Sequence, residues 1–390
     1  MESNLLHHKG SFWLRAKDQI FVGLGVAEEW RATTWEEAQQ ALADMREAPG
    51  FKAGYFSYDF GVMMGGVHAK KKDSLETPLL HFVVPEQLYI FDVGNPAPYK
   101  LLERQFFQAG PVTADLSQKG YEDRIVRIHE LLCEGETYEV NFAQRFSGEF
   151  DGEPLEVFRR LSEMNPSPHA CYFNFDPITV VSCSPERLVR GRKVLNPQKE
   201  ERMLLETRPI KGTVPRGKNS REDEKNIEEL LASEKNKAEL NMIVDLARND
   251  LGRVCEVGSV EVTEHRTIES YSHVHHTMSN VRGVLQADLD WVDVMKALFP
   301  GGSITGAPKY RTMQIIDDLE PCLRGIYTGS AGYIDEEGQF DFNILIRTIA
   351  FHRDAKKFSY HSGGAIVTDS DAAEEYEETL QKAKALKKAL

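Results

Sequence analysis

Glu206-Thr207-Arg208-Pro209-Ile210-Lys211-Gly212-Thr213-Val214-Pro215-Arg216-Gly217 sets a lysine between a proline and a glycine. Proline lacks the amide donor that a helix interior needs and glycine is unfavourable there, so the stretch reads as a strand end or a tight turn. A long charged side chain at that point has no local packing role; Lys211 is either an ordinary solvated surface lysine or a group placed for chemistry. Working outward, apolar strand-like runs stand at 179–183 and 344–351, and helical patterns at 121–133, 221–251 and 372–390. Because strands and helices do not alternate regularly, an α+β sandwich is expected rather than a doubly wound sheet. No repeat of solenoid period is visible.

Residues 1–110 mix strand-like runs (Gln19-Ile20-Phe21-Val22-Gly23-Leu24, Leu80-His81-Phe82-Val83-Val84) with a helical pattern at 34–46, and turn loop-like at Asn95-Pro96-Ala97-Pro98. A chain of 390 residues exceeds the roughly 250–300 at which single cores tend to split, so two lobes are expected, 1–110 and 111–390. No apolar run approaches the roughly 20 residues of a membrane span, and Met1 to Lys9 lacks the apolar core of a signal peptide. The five cysteines, Cys133, Cys171, Cys183, Cys255 and Cys322, are odd in number and scattered, which suggests neither a disulfide framework nor a zinc knuckle. The expectation is a cytoplasmic protein with reduced thiols and no membrane partner. A net charge of −14 without a basic cluster argues against nucleic acid as a partner.

The acidic helices supply a candidate metal site. On 221–251, Ile227, Leu230, Leu231, Ala238, Met242, Ile243 and Leu246 form an apolar stripe with Glu239 at its border. On 372–390 the stripe runs through Tyr376, Leu380, Ala383 and Leu386, with Glu375 and Glu378 three apart on a shared edge. Mg²⁺ prefers hard oxygen ligands, and carboxylates from two helices suit it; a solvated pair with Lys382 explains Glu378 equally well. Gly363-Gly364 is either a turn or a place where backbone amides approach an oxygen closely. In Ser272-His273-Val274-His275-His276 the strand period turns His273 and His275 away from His276, which disfavours zinc.

Read in order, Ser184-Pro185-Glu186-Arg187, the Lys211 stretch, 238–250 (AELNMIVDLARND), 301–309 (GGSITGAPK) and 341–348 (DFNILIRT) resemble the chorismate-utilising enzymes: anthranilate, aminodeoxychorismate, isochorismate and salicylate synthases. The likeness covers about residues 115–390; Gly54-Tyr55-Phe56-Ser57-Tyr58-Asp59 resembles a segment of the family's N-terminal part, that of anthranilate synthase component I. The resemblance implies a chorismate-binding fold: two packed, mainly antiparallel β-sheets with helices on the outside. Anthranilate synthases usually carry alanine where this chain has Lys211, so the lysine form resembles component I of the aminodeoxychorismate synthases, the para-aminobenzoate and folate branch. Anthranilate synthase component I and a non-catalytic chorismate-binding subunit are the alternatives.

What the resemblance implies residue by residue is a lysine nucleophile at Lys211, a general acid at Glu186, and Mg²⁺ carboxylates at Glu239 and Glu378 with Glu375 as helper. It also implies enolpyruvyl-carboxylate contacts from Tyr327 and Arg347, and pocket positions at Thr305, His276, Gly363 and Gly364. A free lysine amine is unprotonated in roughly one molecule in a thousand near neutrality, equivalent to roughly 4 kcal/mol against attack, so the site must favour the neutral amine. Glu139 stands where the family's water-using members carry a lysine, which argues against isochorismate or salicylate synthesis. With no nucleophilic cysteine motif of a glutamine amidotransferase in the chain, ammonia is expected from a separate amidotransferase subunit, aminodeoxychorismate synthase component II.

Overall fold

The computed structural model describes residues 5–67, 71, 76–271 and 274–390. The chain forms two compact units. The first comprises Met1–Pro185, Ile304–Glu336 and Asn343–Leu390, and the second Glu186–Ser303 and Glu337–Phe342. The expected lobe boundary near residue 110 falls inside the first unit. The strands assemble into two mainly antiparallel sheets, with helices packed against them.

In the first unit, one sheet runs in the order Gly306–Ala307, Glu139–Gly152, Lys357–Ile366, Thr348–His352, Ile178–Ser184, His169–Asn174, Phe12–Ala16, Gln19–Leu24 and Gln87–Asp92. All seven residues of Ile178–Ser184 are buried, which is why ITVVSCS reads as an unbroken apolar run: both faces are covered. The period of two then sorts the side chains. Trp13, Tyr172, Val181 and Phe351 enter a core beneath the helices Pro154–Met164 and Ala372–Ala389. Their neighbours Phe12, Phe173, Val180 and Ala350 enter a second core with Tyr55, Val83 and Tyr333. Those last three sit on the strand run Ser330–Ile334, Lys52–Phe56, Leu80–Val84, Glu28–Ala32 of the other sheet. This unit is therefore a sandwich with helices outside, the α+β fold expected.

Local signals explain the helix starts. Thr34 caps Trp35–Glu47 in a reciprocal capping box with Glu37. Ser117 caps Gln118–Cys133 and Asp371 caps Ala372–Ala389. The run 344–351 is not one strand. Arg347 adopts a left-handed φ of 52°, which breaks the pleat between Phe340–Asn343 and Thr348–His352.

In the second unit, Glu201–Arg208 and Ile210–Pro215 lie end to end along one edge of Val274–Val284, while Glu261–Ser270 lies along the other. Arg187–Leu195 pairs with Glu201–Arg208, and a buried bidentate ion pair ties Arg187 to Asp341 at 2.8 and 2.7 Å. The expected helix 221–251 is two helices, Ser220–Ala232 and Glu234–Gly252. Ser233 ends the first and caps the second through the Asn236 amide, a serine cap that competes with helix continuation. The break shifts the buried stripe: Leu230 and Ile243 are buried as expected, Leu231 is exposed, and Leu240 and Val244 join.

Candidate active site

Lys211 owes its placement to two interruptions. Pro209 has no amide to donate, so Glu201–Arg208 stops there, although its carbonyl accepts from the Ser279 amide at 3.2 Å. Gly212 then sits at φ 83° in a β-bulge between Lys211 and Thr213, a conformation glycine adopts without strain and one that re-aims the neighbouring side chain. Lys211 pairs with Thr277 across the ladder, and the Thr277 hydroxyl donates to the Lys211 carbonyl. The Lys211 side chain is 11% exposed, and its Nζ lies 3.8 Å from Glu239 Oε2 on the helix Glu234–Gly252. Glu239 is likewise mostly buried, as its place at the stripe border led one to expect.

Glu186 follows the strand Ile178–Ser184 and is 6% exposed, not the solvated glutamate that a loop position allows. Ser303 Oγ donates to its Oε1 at 2.8 Å. Desolvation pushes the carboxyl up to about 7, opposed by that hydrogen bond, by the Lys211 charge and by the Ile210 amide. A carboxyl held near neutrality beside a lysine is the kind of group that can give up a proton around neutral pH. His276, also in this unit, is buried and shares a 2.8 Å hydrogen bond with the Thr213 hydroxyl through Nδ1. His275 turns to Ser270 and Asp223 instead; His273 lies outside the described residues.

The other expected residues belong to the first unit. Thr305 is fully buried, and its carbonyl accepts from the Asn141 amide at 2.8 Å. Tyr327 is buried with its ring stacked on His361 at 5.1 Å and 11°, and burial pushes its hydroxyl up to about 12. Arg347 donates through Nη1 to Asn165 Oδ1 at 3.1 Å, and desolvation pulls its pKa below the usual value.

Gly363 and Gly364 form no turn. They lie within the strand Lys357–Ile366, opposite Ala143 and Phe142. A Cβ on Gly363 would stand 2.0 Å from the Phe142 carbonyl oxygen. At Gly364 it would meet Glu375 Oε2 at 3.0 Å and Glu378 Oε1 at 3.5 Å. Two carboxylates thus converge on a space kept open by the missing side chain, with the Lys382 ammonium 3.8 Å from the same point; the carboxylate oxygens are hard donors of the kind Mg²⁺ takes, in exchange for that ammonium. Glu375 is 5% exposed and accepts from Ser370 Oγ at 2.7 Å, whereas Glu378 is half exposed and ion-paired with Lys382 at 2.6 Å.

The family model of the chorismate binding enzymes matches residues 5–388. The chain belongs to the chorismate-binding enzymes. Aminodeoxychorismate synthase component 1 of Bacillus subtilis is 37% identical over 392 residues, 93% of this chain and 80% of that protein. Anthranilate synthase component 1 of Aquifex aeolicus is 46% identical over 277 residues, 71% of this chain and 54% of that protein. Among solved structures, anthranilate synthase component I of Streptococcus pneumoniae TIGR4 superposes with a TM-score of 0.78 at 26% identity, covering 95% of this chain and 92% of that one. Both reactions are thus represented among the relatives of this chorismate-binding enzyme.

Two features escaped the motifs. Ser303 stands inside GGSITGAPK, but nothing local links it to a glutamate 117 positions away. Asn165 lies 182 positions from Arg347, and only the fold joins them. Among the described residues, no helix is long and apolar enough to cross a membrane.

Proposed function

We propose that this chain is the chorismate-aminating component of an aminodeoxychorismate synthase, making 4-amino-4-deoxychorismate from chorismate and ammonia that a glutamine amidotransferase subunit, component II, supplies. The observation that carries the proposal is Lys211 on its bulge, electrostatically coupled to a Glu186 carboxyl held near 7. A nucleophile and an acid within one unit are what a two-step displacement requires.

In the proposed chemistry, the neutral Lys211 amine bonds to ring carbon 2, the double bonds shift, and the bond from carbon 4 to its hydroxyl breaks. Glu186 supplies the proton with which the hydroxyl leaves as water, and the proton shed by the newly bonded nitrogen balances that loss. Ammonia then bonds to carbon 4, the double bonds shift back, and the carbon 2 to Nζ bond breaks; the proton that the new nitrogen sheds balances the one Nζ takes up, returning the lysine amine. Arg347 and Tyr327 hold the enolpyruvyl carboxylate, the guanidinium by paired N–H donors, and Thr305, His276 and the Gly363-Gly364 backbone complete the pocket. Glu239 and Glu378, with Glu375 in support, would hold Mg²⁺, which supplies positive charge for the substrate's ring carboxylate in an otherwise acidic protein. Amination at carbon 2, the anthranilate reaction, would need the position that Lys211 occupies in this scheme.

The test is to mix the chain with chorismate, Mg²⁺ and ammonium at mildly alkaline pH and separate the products with and without an added lyase. Aminodeoxychorismate that becomes para-aminobenzoate only with the lyase, and that disappears in Lys211→Ala, is expected. Anthranilate as the product would overturn the proposal, and tight chorismate binding with no turnover under any nitrogen source would indicate a binding subunit.

A further inference from the structure

Arg324 is 2% exposed, and all five of its N–H donors are spent inside the first unit. Nε and Nη2 grip Glu320 in a bidentate pair at 3.0 and 2.6 Å. Nη1 donates to the Ile304 carbonyl at 2.8 Å and to Thr328 Oγ1 at 3.2 Å, and Nη2 also donates to the Asn141 carbonyl at 2.6 Å. The guanidinium carbon lies 4.7 Å from the Tyr58 ring centroid and 5.6 Å from that of Tyr327.

These partners have something in common. Ile304 precedes Thr305, and Asn141 donates its amide to the Thr305 carbonyl at 2.8 Å, so the backbone on both sides of Thr305 is tied to one cation. Thr328, held at a left-handed φ of 58°, passes its own hydroxyl proton to the Tyr327 carbonyl at 2.6 Å. An ordinary buried ion pair could be replaced by apolar side chains at little cost; a planar fork satisfying five acceptors on four segments cannot be replaced by any other side chain.

We propose that Arg324 is a positioning residue for chorismate, acting through Thr305 and Tyr327, which it locks in the arrangement that receives substrate. The inference rests on the reading that places those two residues in the chorismate pocket. It predicts a loss of substrate affinity rather than of chemical rate, because a misplaced holding group weakens ground state and transition state alike.

Arg324→Lys keeps a charge for Glu320 but has only three donors on a flexible stem, so it cannot hold the carbonyls of Ile304 and Asn141 together with Thr328. The KM for chorismate is expected to rise at least about tenfold while kcat stays within about threefold. Thr328→Val removes the hydroxyl that accepts from Arg324 Nη1 and donates to the Tyr327 carbonyl, and should raise KM by roughly three- to tenfold whatever its melting temperature; it decides the question alone if the lysine variant does not fold. A lowered melting temperature or kcat with KM unchanged in the folded variants would overturn the proposal, since a merely structural residue behaves that way. The split is read on whichever product forms, so anthranilate would sink the aminodeoxychorismate reading and leave this test intact. Should the chain bind chorismate without turnover, equilibrium dialysis of chorismate against both variants replaces KM, and unchanged affinity again overturns the proposal.

Discussion

Glu186→Gln separates stability from chemistry in opposite directions. The carboxyl has an ordinary value of 4.5 and a folded-state value of about 7, with desolvation the largest cause. Between those two pH values the folded state holds more protons than the unfolded chain, so the free energy of unfolding falls as pH rises through that window. Integrated at 1.36 kcal/mol per pKa unit, the full loss above pH 7 is about 3 kcal/mol. A glutamine is neutral throughout and its amide oxygen still accepts from Ser303. The variant should therefore match the native protein near pH 4.5 and exceed it by about 3 kcal/mol at pH 8. Paired urea titrations at the two pH values measure this. If Glu186 is the acid, kcat/KM of the native protein falls above about pH 7 as the proton is lost, and the variant loses about a hundredfold or more. A variant no more stable than the native protein at pH 8 would refute the assigned burial cost, and one that is more stable yet fully active would refute the catalytic role.

Three other perturbations probe the site. Gly212→Ala puts a β-carbon at φ 83° and 2.8 Å from Leu230 Cδ1, which should cost about 1–2 kcal/mol in thermal unfolding and lower activity by re-aiming Lys211. Gly364→Ala places a Cβ 3.0 Å from Glu375 Oε2 and should weaken Mg²⁺ binding in calorimetry with little change in melting temperature, whereas Gly363→Ala strikes the Phe142 backbone at 2.0 Å and should cost about 3 kcal/mol or more of stability; equal melting temperatures for the two would contradict the distinction. Glu139→Gln should retain most activity in a steady-state assay, and a loss comparable to that of Lys211→Ala would make the buried carboxylate essential.

What local chemistry controls was legible in the chain. Thr34 with Glu37, Ser117 and Asp371 announce their helices, and apolar period and length mark Leu80–Val84 and Ile178–Ser184. Ser233 carried the same kind of signal, but an acidic, helix-forming context on both sides disguised it. Arg347 could not be read, because its left-handed backbone depends on how 344–346 bond to the segment around Gly329, not on its own propensity. The elevated pKa of Glu186 is a further case: burial raises it and the Ser303 hydroxyl opposes the rise, and neither is local. Gly363-Gly364 left two readings open for a physical reason, since close approach between strands and freedom in a turn both call for glycine.

The last helix shows why a costly placement is informative. Ala383, Leu386 and Ala389 pack into the core beneath the first sheet, and at helical spacing the same stripe continues back through Thr379 to Glu375. Glu375 is therefore carried into the interior by the register of its neighbours; no rotation of the helix can expose it without exposing them. An apolar residue at 375 would satisfy the stripe at no desolvation cost. The chain instead has a carboxylate, a Ser370 hydroxyl to bond one oxygen, and a Gly364 without a side chain beneath the other. Three residues, on a strand, a helix and the loop between them, depart together from what packing alone favours, and departures of that kind concentrate where a site has a function to perform.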